Sequence, residues 1–206
     1  PSPIYEEVLP FSGGWPPTRG RDRYAGVKAT YDDKNGNADN QTVATISSTF
    51  ASSNLDLILA VATPSAQGAA GAIADKPALF TAVTDPVDAK LVASMDAPGA
   101  NVTGTSDMNP VGEQLALVTE LRPDAKRVGT IYSSGEPNSV IQVELARKAA
   151  PGLGLELVEQ AITNTRDVQQ AVSLLGDVDA IYVPTDNTVV SALDAVVQLT
   201  ESKQIP

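Results

Sequence analysis

Short apolar runs alternate with longer amphipathic segments from about residue 26 onward. The runs at 55–62 and 180–183 are almost continuously apolar, which is typical of parallel strands covered on both faces. Taken together, the apolar runs predict strands at 27–31, 55–62, 78–83, 102–104, 128–132, 155–161 and 180–183.

Apolar residues between these runs recur at helical spacing, every three or four positions. The stripes that predict helices are Val87, Leu91 and Met95; Val111, Leu115, Val118 and Leu121; Val168, Ala171, Val172 and Leu175; and Val189, Leu193, Val196, Val197 and Thr200. Regular alternation of strand and helix indicates right-handed βαβ units. The predicted fold class is therefore α/β, with parallel sheets.

A boundary is predicted near residues 104–110. Pro98 and Gly99 begin a turn signal, and Asn109 with Pro110 opens a new helix. We expect two Rossmann-like lobes, at 26–106 and 107–206, preceded by an atypical segment at 1–25 that is rich in proline and glycine. We also expect both ends to be truncated and the second lobe to be incomplete, because the chain stops just after a predicted helix.

Composition excludes several classes of chemistry. The 206 residues contain no Cys and no His, so a thiolate nucleophile, a Cys/His zinc site and a Ser-His-Asp triad are ruled out. There are 14 Lys and Arg against 25 Asp and Glu, and no basic cluster, so we expect no nucleic-acid partner. No apolar run reaches the roughly 18 residues of a membrane span. The sequence predicts no catalytic residue, no metal site and no cofactor.

Polar corners follow four of the predicted strands. Thr63 and Asp85 are good helix N-caps, and each precedes a proline at the first helical position. Glu136 has the same layout, and Asp186 or Asn187 can cap the last helix. Open α/β sheets bind ligands at the carboxyl edge of their strands, so we expect these corners to form a site.

The chemistry of the corners suits a small zwitterion. We expect unpaired N–H groups at Ser65, Ala66 and Gln67, where the dipole at a helix N-terminus favours a carboxylate. An ammonium group could be neutralised by the carboxylates in the corners, which are Asp85, Glu136 and Asp186. Closure of the two lobes would then remove water from the solute. Each of these side chains, taken singly, can also be explained as a cap.

The same corners resemble the TrpX-like ABC-transporter substrate-binding proteins. The similar segments, in chain order, are LILAVATPSAQ (57–67), FTAVTDPVDA (80–89), PGANVTG (98–104), AKRVG (125–129), EPNS (136–139) and YVPTDN (182–187). The resemblance implies a type I periplasmic-binding-protein fold. It also implies an extracytoplasmic, non-enzymatic component of an ABC importer. That component would bind an amino acid, aromatic or otherwise apolar, between its lobes and deliver it to an ABC permease.

By position, the resemblance assigns Thr63, Ser65, Ala66 and Gln67 to the ligand carboxylate and Asp186 to its ammonium group. The other predicted ligand-binding residues are Thr84 and Asp85 in the first lobe and Glu136, Asn138, Ser139, Thr185 and Asn187 in the second. Members of the family begin with a strand-helix unit that residues 1–24 do not resemble.

Two other functions remain open at the level of sequence. One is the effector-binding domain of a transcription regulator, although the chain has no basic helix-turn-helix segment. The other is an α/β enzyme that uses paired carboxylates as acid and base.

Overall fold

The computed structural model describes residues 31–206, so the predicted segment at 1–25 and the predicted strand at 27–31, except Tyr31, lie outside the described residues. Tyr31 itself is not in a strand. The compact unit Gly36–Pro206 carries the helices and strands. Among residues 31–206, no helix combines the length and the apolar content needed to cross a bilayer.

The first half of this unit contains a three-stranded parallel sheet. Its strands lie in chain order, β1 (Ile58–Val61), β2 (Ala78–Val83) and β3 (Val102–Ser106). Two helices accompany them, α1 (Asn40–Ser52) and α2 (Thr63–Ala72). The Asp39 carboxylate begins α1 by accepting the Thr42 N–H at 2.7 Å. Side chains of β1 and β2 form a common core with α2, and Phe50 of α1 packs against that core.

Burial alternates along β1 between its two faces. Ile58 and Ala60 are buried, whereas Leu59 and Val61 are 51% and 43% exposed. Leu79, the register partner of Leu59 on β2, is 38% exposed. Within residues 31–206, only one face of β1 is therefore covered. The expectation that the run at 55–62 is covered on both faces is wrong for this part of the chain, and the strand begins only at Ile58.

The second half contains another three-stranded parallel sheet, in the order β5-β4-β6. Its strands are β4 (Arg127–Ser133), β5 (Glu156–Ile162) and β6 (Ala180–Tyr182). Helices α3 (Val111–Leu121) and α4 (Pro137–Ala149) share one buried cluster with Val128 of β4. Helices α5 (Val168–Leu174), α6 (Asn187–Val190) and α7 (Leu193–Lys203) share the other cluster with Ile131. Alternate residues of β4 thus enter different cores, as the two-residue period of a strand requires.

The α/β class and the parallel sheets confirm the fold predicted from the sequence. The predictions at 78–83, 102–104, 128–132, 155–161 and 180–183 each fall on a strand of these two sheets. Three of the four predicted helical stripes also fall on helices.

The helix predicted from Val87, Leu91 and Met95 is wrong. Residues 86–90 form turns instead, and Lys90 has a φ of 60°, a left-handed conformation that ends the helical path after one turn. The stripe from Val189 to Thr200 is interrupted as well, because α6 ends at Val190 and α7 begins only at Leu193. Spacing alone did not reveal either break.

Candidate functional site

The first predicted corner lies where β1 enters α2. The helix cap is Ala62, with φ 75° and ψ 155°, so the expectation that Thr63 is the cap is wrong. Thr63 is the first helical residue, and the helix has no side-chain cap. The first hydrogen bond of the helix is donated by the Ala66 N–H to the Ala62 carbonyl at 3.0 Å. The N–H groups of Thr63 and Ser65 come before it in the chain and have no partner within the helix. The N-terminus of α2 therefore keeps unpaired donors.

The predicted donors differ in detail from those of the structure. The Ala66 N–H is already bonded, and Gln67, the fifth residue of α2, lies within the helical pattern. The expectation of a free N–H is thus wrong for Ala66 and Gln67. The Gln67 side chain instead donates to the Ala89 carbonyl at 3.1 Å. The Thr63 hydroxyl is buried and has no hydrogen-bond partner.

The second corner follows β2. Thr84 is buried, and its carbonyl accepts the Ser106 hydroxyl at 2.7 Å. The Asp85 carboxylate accepts the N–H groups of Val87 and Asp88, both at 3.0 Å. Asp85 therefore caps the turn that follows β2, in agreement with its predicted capping role, although no long helix continues from it.

The third corner is built on the buried carboxylate of Glu136, the residue before α4. Glu136 takes the N-cap position, but its carboxylate accepts no capping hydrogen bond from a backbone N–H of α4. One of its oxygens accepts the N–H and hydroxyl of Thr188, at 2.9 and 2.7 Å. The other accepts the N–H and side-chain amide of Asn187, at 3.0 and 2.6 Å, and the Asn138 amide at 3.1 Å. Glu136 thereby joins the start of α4 to the start of α6.

Asp186, in the fourth corner, caps α6. One carboxylate oxygen accepts the Val189 N–H at 2.7 Å, and the other accepts the Ser133 N–H at the end of β4. The predicted capping role is confirmed for Asp186, but the helix it caps is the short α6; the last helix, α7, has Ala192 at its N-cap. Both oxygens hold a backbone donor, and the Ser139 hydroxyl is a further hydrogen-bond donor to this carboxylate.

The third and fourth corners together form one buried acidic cluster, which we define as Glu136, Asn138, Ser139 and Asp186. Within residues 31–206, neither Glu136 nor Asp186 forms an ion pair with Lys or Arg. Burial alone would raise the pKa of Glu136, but hydrogen bonds from Thr188, Asn187 and Asn138 outweigh it and hold that pKa below its usual value. Burial, and then the charge of Glu136, raise the pKa of Asp186. The cluster is a negative site without a protein cation among the described residues.

The sequence analysis assigned no site role to two residues of this region, Gln142 and Asn109. Gln142 is fully buried and lies one helical turn after Asn138 on α4. Its amide contacts Thr185, which is exposed at the tip of the β6–α6 loop, and Asn109, which precedes α3. A polar residue four positions after Asn138 on the same helix face was the available signal.

The predicted site residues therefore fall into two groups. Those of the second half, from Glu136 to Asn187, are joined by one hydrogen-bond network. In the first half, the Gln67 side chain ties the corner after β1 to the turn that Asp85 caps. Across the described part of the chain, no hydrogen bond or ion pair joins Thr63, Ser65, Ala66 or Gln67 directly to the acidic cluster. The two groups are linked by the segment at 106–109.

Comparison with known proteins supports a specific family. The profile of the family described as ABC transporter substrate binding protein matches residues 22–206. The chain belongs to this family. A tyrosine-binding protein of Clostridioides difficile (strain R20291) is 45% identical over 176 residues, which cover 85% of this chain and 51% of that protein. The chain thus spans about half the length of this relative. The predicted resemblance of the chain to TrpX-like substrate-binding proteins is confirmed.

Solved structures place the fold in the same family. An ABC domain from Streptococcus pneumonia in complex with L-Trp has 41% identity and a TM-score of 0.78, covering 82% of this chain and 59% of that one. A ligand-free, open substrate-binding protein with adhesive properties from Clostridium difficile has 44% identity and a TM-score of 0.54, covering 82% and 57%. Both comparisons cover the same share of this chain, and the higher TM-score shows that the chain superposes better on the L-Trp complex than on the open structure.

Proposed function

We propose that this chain is the solute-binding part of an ABC importer's substrate-binding component and that its ligand is an aromatic or other apolar amino acid. The protein would work outside the cytoplasm, release its ligand unchanged and deliver it to an ABC permease. Residues 58–106 and 111–206 would form the two walls of the site, each with its own sheet. The names of two relatives, a tyrosine-binding protein and an L-Trp complex, support this ligand class.

The observation that carries the proposal is the contrast between the two groups of corners. The α2 N-terminus offers unpaired N–H donors and a helix dipole to an anion. The acidic cluster offers buried negative charge that no described Lys or Arg balances, and such charge favours a cation. A free amino acid carries both charges, one beside the other. The two groups are therefore complementary to the two ends of its backbone.

The predicted roles follow from this contrast. Thr63 and Ser65 would bind the ligand carboxylate, with Ala66 and Gln67 behind them in α2. Asp186 would attract the ammonium group through its charge, while its two oxygens continue to accept the N–H groups of Ser133 and Val189. The remaining predicted contacts stay proposals: Thr84, Asp85, Glu136, Asn138, Ser139, Thr185 and Asn187.

Calorimetric titration with matched ligands tests the proposal. L-tryptophan and L-tyrosine should bind, whereas tryptamine, which lacks the carboxylate, and indole-3-propionate, which lacks the ammonium group, should each bind at least tenfold more weakly. Loss of one charge-assisted contact costs about 1.5–3 kcal/mol, which corresponds to such a factor. Equal binding of tryptamine and L-tryptophan would contradict the role of the α2 N-terminus. Recovery of chemically altered tryptophan would favour an enzyme.

A pair of variants separates the role of Asp186 from general electrostatics. Asp186→Ala should abolish binding of L-tryptophan if its charge attracts the ammonium group. Asp177→Ala removes one exposed carboxylate that pairs with Lys203 at 3.6 Å, and it should leave binding unchanged. An unaltered affinity in Asp186→Ala would refute the assigned role.

A further inference from the structure

The chain passes from the first sheet to the second core through a short crossover, which we define as residues 106–110. Ser106 ends β3, and Val111 begins α3. At the end of the crossover nearer the first sheet, the Ser106 hydroxyl donates to the Thr84 carbonyl at 2.7 Å, and the Asp107 N–H donates to the Val83 carbonyl at 3.0 Å. The crossover is therefore bonded directly to one predicted wall of the ligand site.

The other end of the crossover is bonded to the opposite predicted wall. The Asn109 side-chain amide donates to the hydroxyl of Thr185 at 3.3 Å and to Gln142 Oε1, also at 3.3 Å. Thr185 lies in the β6–α6 loop, 76 positions along the chain from Asn109. Through Ser106 and Asn109, the crossover thus contacts predicted ligand residues of both halves, Thr84 and Thr185.

The buried amide of Gln142 completes this connection. Its Nε2 donates to the Thr185 hydroxyl at 2.6 Å and to the Asn138 carbonyl at 2.7 Å. Its Oε1 accepts the Thr185 N–H at 3.3 Å as well as the Asn109 amide. Gln142 has no exposed surface, so any displacement of Thr185 would leave buried polar atoms unpaired. The loop is therefore held in one position relative to the crossover.

We propose that Asn109 and Gln142 are positioning residues that keep the Thr185 loop in register with the crossover. The loop would then be ordered before a solute arrives, and binding would not have to supply the cost of ordering it. Neither residue needs to touch the solute, because each acts through Thr185. For its ligand measurement this inference rests on the proposed function, but the connection can also be measured without ligand.

The experiment compares Asn109→Ala with a matched control, Asn101→Ala. The Asn101 amide also makes two hydrogen bonds, to the carbonyls of Ile73 and Lys76 at 2.9 and 2.7 Å, but these lie beside the first sheet. Asn109→Ala should weaken L-tryptophan binding roughly three- to tenfold with little change in the urea midpoint, as expected for lost hydrogen bonds. Asn101→Ala should lower the urea midpoint and leave affinity unchanged.

A second variant and a second measurement keep the test decisive. Asn109→Asp retains the side-chain shape but cannot donate to Gln142, so it should behave like Asn109→Ala. In both variants, without ligand, amide hydrogen exchange of residues 185–188 should become at least threefold faster. Wild-type exchange rates there, or wild-type affinity, would overturn the positioning role. Loss of folding in both variants would assign Asn109 a structural role and overturn it as well.

Failure of the proposed function would be visible separately. If the wild-type chain binds neither L-tryptophan nor L-tyrosine, the ligand assignment fails. The exchange measurement then decides the positioning role alone.

Discussion

The Glu136 carboxylate accepts both the backbone N–H and the hydroxyl of Thr188, at 2.9 and 2.7 Å, although 52 positions separate the two residues. Glu136 precedes α4, and Thr188 lies in the first turn of α6. A single side chain thereby satisfies the donors of a helix start that is distant in the chain. These two hydrogen bonds also hold the loop that carries Thr185 and Asp186 against the start of α4.

Glu136→Gln should destabilise the protein by about 1–3 kcal/mol, because the glutamine NH2 group would face donors and leave buried groups unpaired. The free energy of unfolding, measured by urea titration at pH 7, checks this. Glu144→Gln on the same helix provides a control, since Glu144 lies outside the acidic cluster and should lose little. Equal stability of the two variants would contradict the role assigned to Glu136.

The pH dependence of stability should reflect the lowered pKa of Glu136. A carboxyl whose folded-state pKa lies below its unfolded value of about 4.5 stabilises the fold above that value. That contribution is lost as the pH falls through the folded pKa. The stability advantage of the wild type over Glu136→Gln should therefore shrink as the pH falls from neutral to below 4.5. Urea titrations across this range would show it, and a constant difference would argue against the shift.

Asp186 should have the opposite pH dependence. Its folded-state pKa lies above the unfolded value of 3.8, so the protonated form favours folding, and this contribution is lost as the pH rises through the folded pKa. Asp186→Asn does not titrate. Its stability relative to the wild type should therefore increase as the pH rises from below 3.8 toward 7, whatever the cost of the amide itself. A relative stability that falls with pH would contradict the raised pKa.

Gly104→Ala should destabilise the first sheet by about 2–3 kcal/mol, the upper range for overpacking. A Cβ at position 104 would lie 2.0 Å from the Phe80 carbonyl oxygen, so the backbone of β2 would have to move. Gly71→Ala is the control, because a Cβ there meets nothing within 4 Å inside α2. It should raise stability by about 0.5–1 kcal/mol. Thermal or urea unfolding of both variants would measure the contrast.

Ala62→Gly should raise the free energy of unfolding by about 1 kcal/mol. The φ of 75° and ψ of 155° at Ala62 lie in a region that only glycine adopts without strain. Ala70→Gly, in the interior of α2, should instead lower stability by about 1 kcal/mol. If both substitutions destabilise to the same extent, the backbone strain at Ala62 is absent. Strain at the entrance to α2 would be consistent with a site that binds a ligand there.

The candidate site was only partly predictable from local sequence. The capping roles of Asp85 and Asp186 follow from residue type and position, because their bonds reach donors two or three residues away. The cap of α2 was predicted wrongly, since Thr63 has the right chemistry but Ala62 takes the cap conformation. Glu136 also binds Asn187 and Thr188, and Gln142 also binds Thr185; these partners lie more than 40 positions away, and no local pattern specifies them.

The sequence by itself determined the α/β class, the order along the chain of the strands from β1 to β6, the parallel sheets and the polar corners after the strands. These features follow from short-range periodicity and capping chemistry, which act over a few residues. Only the tertiary structure decided that one face of β1 stays open within residues 31–206, that the turn after Asp85 does not become a helix, and that Glu136, Gln142 and Asn109 join one network. Those outcomes depend on which distant groups compete for the same buried donors and acceptors, and that competition is resolved only when the chain is packed.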